Sequence, residues 1–502
     1  MSDHALTVVD MGIDTHQEPV VYMREDCHVC RAEGLNASSR VIAQTDKGSV
    51  IASLNVVNTS VLSLGHAGFS RVAMQRLQTK PGDEVTIRHA PLLSSLGSVR
   101  KKIFGHGLSD TELSDVITDI SAHRYSDIEI AGFVAGCAAG RLNLDEIIGL
   151  TRAMVACGKH LQWPGHDRIF DKHCIGGLPG NRTTPIVVAI VSAAGLVMPK
   201  TSSRAITSPA GTADTLETLC NVNLNIAEIK RVVGDVGACL AWGGAVNLSP
   251  ADDLLIRIER ALDIDGEGQL IASVLSKKIA AGSTHAIIDI PVGDTAKVRS
   301  RTHADRLASL FVEVGNACGI QVRCVITDGS KPVGFGIGPV EEARDLMAVL
   351  HGDTHAPQDL RERALLLSAH LLDMADEKGL EAGQVFATEL LDDGRALAQF
   401  GRIVEAQGGL KTLPDAAYTH CEYAGASGVL AAIDNRKLAR LAKLAGAPSS
   451  PAAGVRLNAV VGDRITAGQL LFTLYSDSAG EQEYALDYYR QDRDVFLIGG
   501  AA

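Results

Sequence analysis

Between Asp171 and Glu217 the chain reads DKHCIGGLPGNRTTPIVVAIVSAAGLVMPKTSSRAITSPAGTADTLE, and one device occurs in it twice. A Gly- and hydroxyl-rich loop, Cys174 to Thr184, leads into an apolar helical run, Pro185 to Ala194, closed by Gly195. A short run, Leu196 to Thr201, then enters a second loop, Ser202 to Thr212, which opens another helix around Asp214. Helix N-termini present unpaired N–H groups and the positive end of the macrodipole, so loops of this kind are natural anion sites. Lys172 and Arg204 add charge, while Thr183, Thr184, Ser202, Ser203, Thr207, Ser208 and Thr212 add hydroxyl donors. One such loop, lacking GKS/T or GxGxxG, reads as a capped turn. Two of them, with Lys and Arg inside, suit a phosphate together with a phosphorylated or polyhydroxylated partner.

Other residues are chemically suggestive but have ordinary explanations. Ser273 and Lys277 are four apart in QLIASVLSKKIAA and share a helix face, the spacing of a Ser–Lys nucleophile pair and also of a solvated Lys beside a small residue. Asp265, in ALDIDGEG, reads as a turn residue, and GFGIGP at 334–339 as a tight turn before a helix. Cys27 and Cys30 form one CxxC; a zinc site needs about four ligands and no second pair follows, so no metal is expected.

Patterning outlines the scaffold around these groups. The 502 residues suffice for several domains. Residues 1–92 read as a β-rich domain, with strands at EPVVYMR, SRVIAQT, SVIASLNVV and KPGDEVTIRHA and a DKG turn at 46–48. Residues 98–165, together with about 250–283, read as a small helical domain, with a capping box at Ser109 and Glu112. Residues 166–249 and 284–408 alternate strand and helix, as in an α/β domain with a mixed sheet that carries the anion loops. Residues 409–502 form a small α+β domain. The formal charge of −12 argues against a nucleic-acid partner. No apolar run is long enough for a membrane span, and neither a signal peptide nor framework cysteine spacing is visible among the ten cysteines, so a cytoplasmic location is expected.

DKH-x-x-GG followed by SSRAITSPAGTADTLE is similar to the signature of the thymidine/pyrimidine-nucleoside phosphorylases, and more closely to that of the N-terminally extended AMP phosphorylases. The resemblance implies a small N-terminal β-barrel and a pentosyltransferase that cleaves an N-glycosidic bond with inorganic phosphate as co-substrate and no cofactor. It also implies a homodimer or higher oligomer acting on a small nucleoside or nucleotide. Carried over by motif, Lys172, Thr184, Ser202 and Thr212 match phosphate-contacting positions, and His173 matches the histidine near the base. Gly177, the run Ser203, Arg204, Ala205, Ile206, Thr207 and Ser208, with Thr212, Ser273 and Lys297, match nucleotide-binding positions of AMP phosphorylases. Asp265 matches their proton-donating aspartate, and Ser273 and Lys277 match base-contacting residues of thymidine phosphorylases.

Three departures from the thymidine pattern stand out. Cys174 replaces a phosphate-binding serine, the loop GGLPGNRTT is one residue longer, and apolar Ile258 takes the place of the pyrimidine-binding arginine, flanked by Arg257 and Arg260. These favour a nucleoside 5′-monophosphate, AMP-like, as substrate, with Arg204 and Lys297 as candidate 5′-phosphate ligands. Thymidine phosphorylase activity is the alternative. Phosphoribosyl transfer, as in anthranilate phosphoribosyltransferase, whose core is similar, would require Mg²⁺ ligands, for which Asp214 and Glu217 are the candidates. A non-catalytic nucleotide-binding role fits least well, because Lys172, His173, Asp265 and Lys297 occur together.

Overall fold

The computed structural model describes residues 5–58, 60–205, 208–264 and 266–499. It divides into two compact units, Met1–Cys157 with Pro250–Ser273, and Gly158–Ser249 with Val274–Ala502. Ile206, Thr207 and Asp265, all singled out above, lie outside the described residues.

In the first unit, strands β1 (Ala5–Asp10), β2 (Val20–Arg24), β3 (Arg40–Gln44), β4 (Ser49–Val57), β5 (His66–Phe69) and β6 (Glu84–His89) close a barrel in the order β1-β5-β2-β4-β3-β6. Its interior is filled by alternate residues such as Leu6, Val8, Val41, Ala43, Ala52, Leu54, Val85 and Ile87, as a period of two requires. The expected DKG turn is closed by Thr45 N–H donating to the Gly48 carbonyl at 2.9 Å. Strands β1 and β5 and the helices His28–Glu33 and Arg71–Leu77 are additions to the expected set; HAGF of β5 is too short to show an alternation. Cys27 and Cys30 are buried in the barrel core.

The helical part of this unit begins its helices as the capping pattern demands. Ser109 with Glu112, Ser126 with Glu129, and Asn143 with Glu146 all make reciprocal capping boxes. Glu146 also receives the buried Lys102 ammonium at 2.6 Å. On the helix Pro250–Leu262, Ile258 is buried, Arg257 forks onto Asp127, and Arg260 is exposed.

In the second unit, β7 (Phe170–Cys174), β8 (Met198–Ser202), β9 (Ala238–Trp242), β10 (His285–Val292) and β11 (Gln321–Asp328) supply the α/β sheet. The pairs β11-β10-β7 and β8-β9 are parallel, and a parallel bridge from Ile169 to Val197 links the two groups. The expected mixed sheet is therefore corrected: helical crossovers return each of these strands in the same direction. The antiparallel component comes from the two-residue β12 (Gly336–Ile337), which pairs with β15 (Gly454–Leu457) after β13 (Tyr418–Tyr423) and β14 (Gly428–Ile433). With β16 (Arg464–Ile465), β17 (Leu470–Ser476) and β18 (Phe496–Gly499), these complete two small C-terminal sheets, β12-β15-β17-β13 and β16-β14-β18, packed with the helices Asn435–Leu444 and Ala479–Gln491. Among the described residues no helix is long and apolar enough to cross a membrane.

The helix after the first anion loop runs from Thr183 to Ala193, two residues earlier than its apolar run suggests. Pro185 then occupies the third helical position, where a missing N–H costs nothing because that donor has no intrahelical partner. Ile186, Val187, Val188, Ile190 and Val191 are fully buried, so this is a core helix apolar all round, and its N-terminus is held rigidly.

Candidate active site

Strand β7 ends in Asp171, Lys172, His173 and Cys174, and its alternation sends these side chains into two buried clusters. In the first, Lys172 Nζ donates to Thr183 Oγ1 at 2.8 Å, lies 3.5 Å from Thr184 Oγ1, and stands 3.8 Å from Asp289 Oδ2. Asp289 is further held by Thr327 Oγ1 at 2.7 Å and Asn181 Nδ2 at 3.3 Å, and Asn181 Nδ2 also reaches Cys174 Sγ at 3.3 Å. Burial, reinforced by Asp289, pushes the Cys174 thiol up to about 12, so it remains protonated and only weakly polar. An ammonium with one strong hydrogen bond, two neighbouring threonine hydroxyls and a helix N-terminus is an anion-binding arrangement. Ser202, at the end of β8, adds a buried hydroxyl oxygen with no hydrogen-bond partner among the described residues. A buried hydroxyl left so costs about 1–3 kcal/mol unless a ligand uses it.

The second cluster lies behind His173. Asp171 is fully buried and accepts from Lys200 Nζ at 2.9 Å on one oxygen and from Lys278 Nζ at 2.7 Å on the other. Lys200 also donates to the Lys172 carbonyl at 2.8 Å, which ties β8 to β7 directly beneath the anion-binding cluster. Burial pushes Asp171 up, but the two lysines outweigh it and hold the carboxyl below its ordinary range. Burial lowers His173 well below the usual imidazole range, and Lys278, Lys200, Lys277 and Lys172 lower it further. The imidazole is thus neutral near pH 7, able to donate or accept a hydrogen bond but not to deliver a proton as an imidazolium.

Lys278 is drawn from 10.5 to about 7, chiefly by burial, with Asp171 opposing and Lys200 adding to the effect. Between about pH 7 and 10.5 the unfolded chain therefore binds a proton that the folded chain has released, and stability rises with pH across that window. Lys278→Met, which leaves Asp171 its bond to Lys200, should flatten that rise. Denaturant unfolding at a series of pH values checks this, and an unchanged slope would show that Lys278 stays charged throughout.

Several sequence-selected residues are brought together. Gly177, at φ +83°, packs so closely on the Lys297 backbone that a Cβ would lie 2.8 Å from its nitrogen; a side chain there would push the two loops apart. Thr212 meets the first loop through Arg182, whose Nη1 donates to its Oγ1 at 2.8 Å. Ser203 supplies a carbonyl to Ala213 N–H at 3.4 Å, and the Ser208 hydroxyl is bonded to the Ala210 carbonyl at 2.8 Å. Lys277 is half-buried, and its charge reaches His173. Ser273 belongs to the other compact unit.

The second loop differs from expectation. Asp214 accepts from the N–H groups of Ala205 at 2.6 Å and Gly211 at 2.8 Å, so a carboxylate of the chain already occupies donors that the loop pattern offers to an anion. Arg204 is paired with Glu217 at 2.5 Å and Asp214 at 3.2 Å and lies 4.7 Å over the Trp242 ring, so it is no free cation. Asp214 and Glu217 serve as clamps of this loop, which explains them without Mg²⁺. The helix that follows, Thr212–Glu217, is too short for its macrodipole to matter greatly. In the third Gly-rich loop, the N–H groups of Phe335 and Gly336 both donate to Asp345 at 2.6 Å, as a tight turn requires.

Asp171, Asn181, Arg182, Lys200, Lys278, Asp289 and Glu342 escaped the reading of the sequence. One signal was available: Asp289 is the only charged residue in the apolar strand HAIIDIPV, and such a residue must find a partner.

Three family models match the chain: the glycosyl transferase family a/b domain over residues 166–397, the helical bundle domain of the same family over 98–158, and the pyrimidine nucleoside phosphorylase C-terminal domain over 429–494. Among similar proteins, "Putative thymidine phosphorylase 2" of Acidovorax sp. (strain JS42) is 54% identical, covering 97% of this chain and 95% of its own. "Putative thymidine phosphorylase" of Legionella pneumophila (strain Paris) is 51% identical, covering 99% and 96%. Among solved structures, anthranilate phosphoribosyltransferase from Thermus thermophilus superimposes with a TM-score of 0.53 at 19% identity, covering 62% of this chain and 99% of its own, a likeness of fold. The chain belongs to the thymidine/pyrimidine-nucleoside phosphorylase family and is a pentosyltransferase of the nucleoside phosphorylase type.

Proposed function

We propose that the enzyme phosphorolyses a nucleoside 5′-monophosphate, AMP-like, to free base and ribose 1,5-bisphosphate. Phosphate is the nucleophile at the sugar C1′, and because the transition state is oxocarbenium-like, the enzyme need only place the anion and help the base leave. In this reading Lys172, Thr184, Ser202 and Thr212 contact the phosphate. His173, neutral in its buried setting, orients the base by hydrogen bonding. Proton delivery to the leaving base falls to Asp265. Gly177, Ser203 to Ser208, Ser273, Lys277 and Lys297 hold the nucleoside part, with Lys297 and Arg204 as the candidates for the 5′-phosphate. Inorganic phosphate is a co-substrate, with no other cofactor, and the working form is a homodimer or larger.

The observation that carries the nucleotide reading is the loss of a base-reading guanidinium. Ile258 is apolar and buried, its neighbour Arg257 is engaged by Asp127, and Arg260 lies on the exposed side of the helix. A site that loses a buried donor discriminates its former substrate poorly. The second reading, thymidine phosphorylase, is favoured by the names of the relatives.

Base release in phosphate buffer from AMP, CMP, UMP, adenosine, uridine and thymidine decides between them. Monophosphates should be turned over faster than their nucleosides, and Lys297→Ala should raise KM for a monophosphate at least about tenfold more than for its nucleoside, the worth of one charge-assisted hydrogen bond. Turnover of thymidine alone, or equal effects of Lys297→Ala on both substrate types, would reject the nucleotide reading.

A further inference from the structure

We propose that Arg182 is a positioning residue of the phosphate site, acting through the hydroxyl of Thr212; the inference rests on the reading that Thr212 contacts the phosphate. Arg182 stands in the first Gly-rich loop, immediately before the helix Thr183–Ala193, and is nine-tenths buried. Its guanidinium reaches three residues on two other segments. Nε donates to Glu342 Oε2 at 2.6 Å, and Nη2 lies 2.5 Å from the same carboxylate. Nη2 also donates to the Ala210 carbonyl at 2.8 Å, and Nη1 donates to Thr212 Oγ1 at 2.8 Å. Glu342, itself buried, further accepts from Thr215 Oγ1 at 3.3 Å and Gly338 N–H at 3.4 Å. One planar fork therefore joins the first anion loop to the second and both to the helix Pro339–His351.

The consequence for Thr212 follows from donor and acceptor counting. A guanidinium has five N–H donors and no acceptor, so Thr212 Oγ1 can only receive from it. The single hydroxyl proton must then point away from Arg182 and remains available to another acceptor. Lys172 treats Thr183 Oγ1 in the same way, with an ammonium that only donates. In the first loop the Thr183 proton is turned to Asn181 Oδ1 at 3.5 Å; in the second, Arg182 orients the Thr212 hydroxyl as a donor before any anion arrives, which lowers the cost of ordering it on binding.

The test is steady-state kinetics with inorganic phosphate and the best substrate of the panel as the two varied reactants. Arg182→Gln alone would leave Glu342 buried and uncompensated, so the double variant Arg182→Gln with Glu342→Gln is used alongside Thr212→Val, the combination of the three substitutions, and Arg182→Lys. Thermal midpoints are recorded so that all assays run well within the folded range. The double variant should raise KM for phosphate about tenfold, the effect of one oriented hydrogen bond, while moving KM for the nucleoside or nucleotide less than about twofold. Thr212→Val should do the same, and the combined variant should be no worse than Thr212→Val alone, because both changes remove one device. Arg182→Lys, which keeps a cation between Glu342 and the second loop, should recover part of the loss. An unchanged phosphate KM in the double variant, or effects that simply add to those of Thr212→Val, would overturn the positioning role. If Thr212→Val leaves phosphate KM unchanged, the fault lies in the phosphate reading of Thr212 itself, and the role inferred for Arg182 falls with it.

Discussion

Lys172→Met should lower kcat/KM for phosphorolysis by about 10²- to 10³-fold, the range found when one preorganised donor to developing charge is removed. Lys172 brings a buried ammonium within reach of Thr183 and Thr184; its one short hydrogen bond is to Thr183, while Thr184 at 3.5 Å and Asp289 at 3.8 Å are held more loosely, so an anion can compete for the remaining protons. The methionine keeps the length and the apolar stem, so the packing of β7 survives. Asp289, which loses its cation at 3.8 Å, retains Thr327 at 2.7 Å and Asn181 at 3.3 Å. Some stability should be lost because Asp289 is left without its cation, but in assays run within the folded range the loss should appear in kinetics, with KM for phosphate rising more steeply than KM for the nucleoside. Kinetics at varied phosphate, with circular dichroism as a check on folding, measure both. A fall in kcat/KM smaller than about threefold, with phosphate KM intact, would remove Lys172 from the phosphate site.

The second large effect is structural. Asp171→Asn should destabilise the enzyme by about 3–5 kcal/mol, the cost of leaving buried charges without their partner. Lys200 and Lys278 both converge on this carboxylate and both are buried, so its removal leaves two like charges facing each other. Because Asp171 is what holds the proton on Lys278, its loss lets Lys278 deprotonate at lower pH than in the wild type, so the deficit should shrink as pH rises towards about 7 and stay constant above it, where Lys278 is neutral in both. Lys200 also fastens β8 to the Lys172 carbonyl, so activity should fall along with stability. Urea unfolding at two or more pH values tests this directly. A variant within about 1 kcal/mol of the wild type would mean that the lysines are neutral in the folded enzyme and that Asp171 is not their counter-ion.

Much of this molecule is legible in its residue order, and the legible parts share a cause. The helix starts at Ser109 and Ser126 are local events, in which a hydroxyl and a glutamate three residues later satisfy N–H groups of the same turn. The barrel strands alternate because a pleat has a period of two. The rarity of DKH-x-x-GG with SSRAITSPAGTADTLE carries the family and, through it, the residues of the first anion loop.

The remaining features depend on pairings between segments far apart in the chain. No local pattern says that Lys200 and Lys278 will meet Asp171, or that Arg182 will find Glu342, 160 positions on. Nor could composition tell that Arg204, a cation in a loop of hydroxyls, is neutralised by Asp214 and Glu217. Charge type is a property of the residue, whereas whether a charge is available to a ligand is a property of its neighbours and of how much water reaches it. Residue types show which groups could hold a phosphate; the packing of β7, β8 and their helices buries Lys172 beside Thr183, keeps His173 neutral, and clamps the second loop with its own carboxylates. The physical reason is that a buried charge must be compensated wherever the fold takes it, and the fold brings that compensation from distant positions.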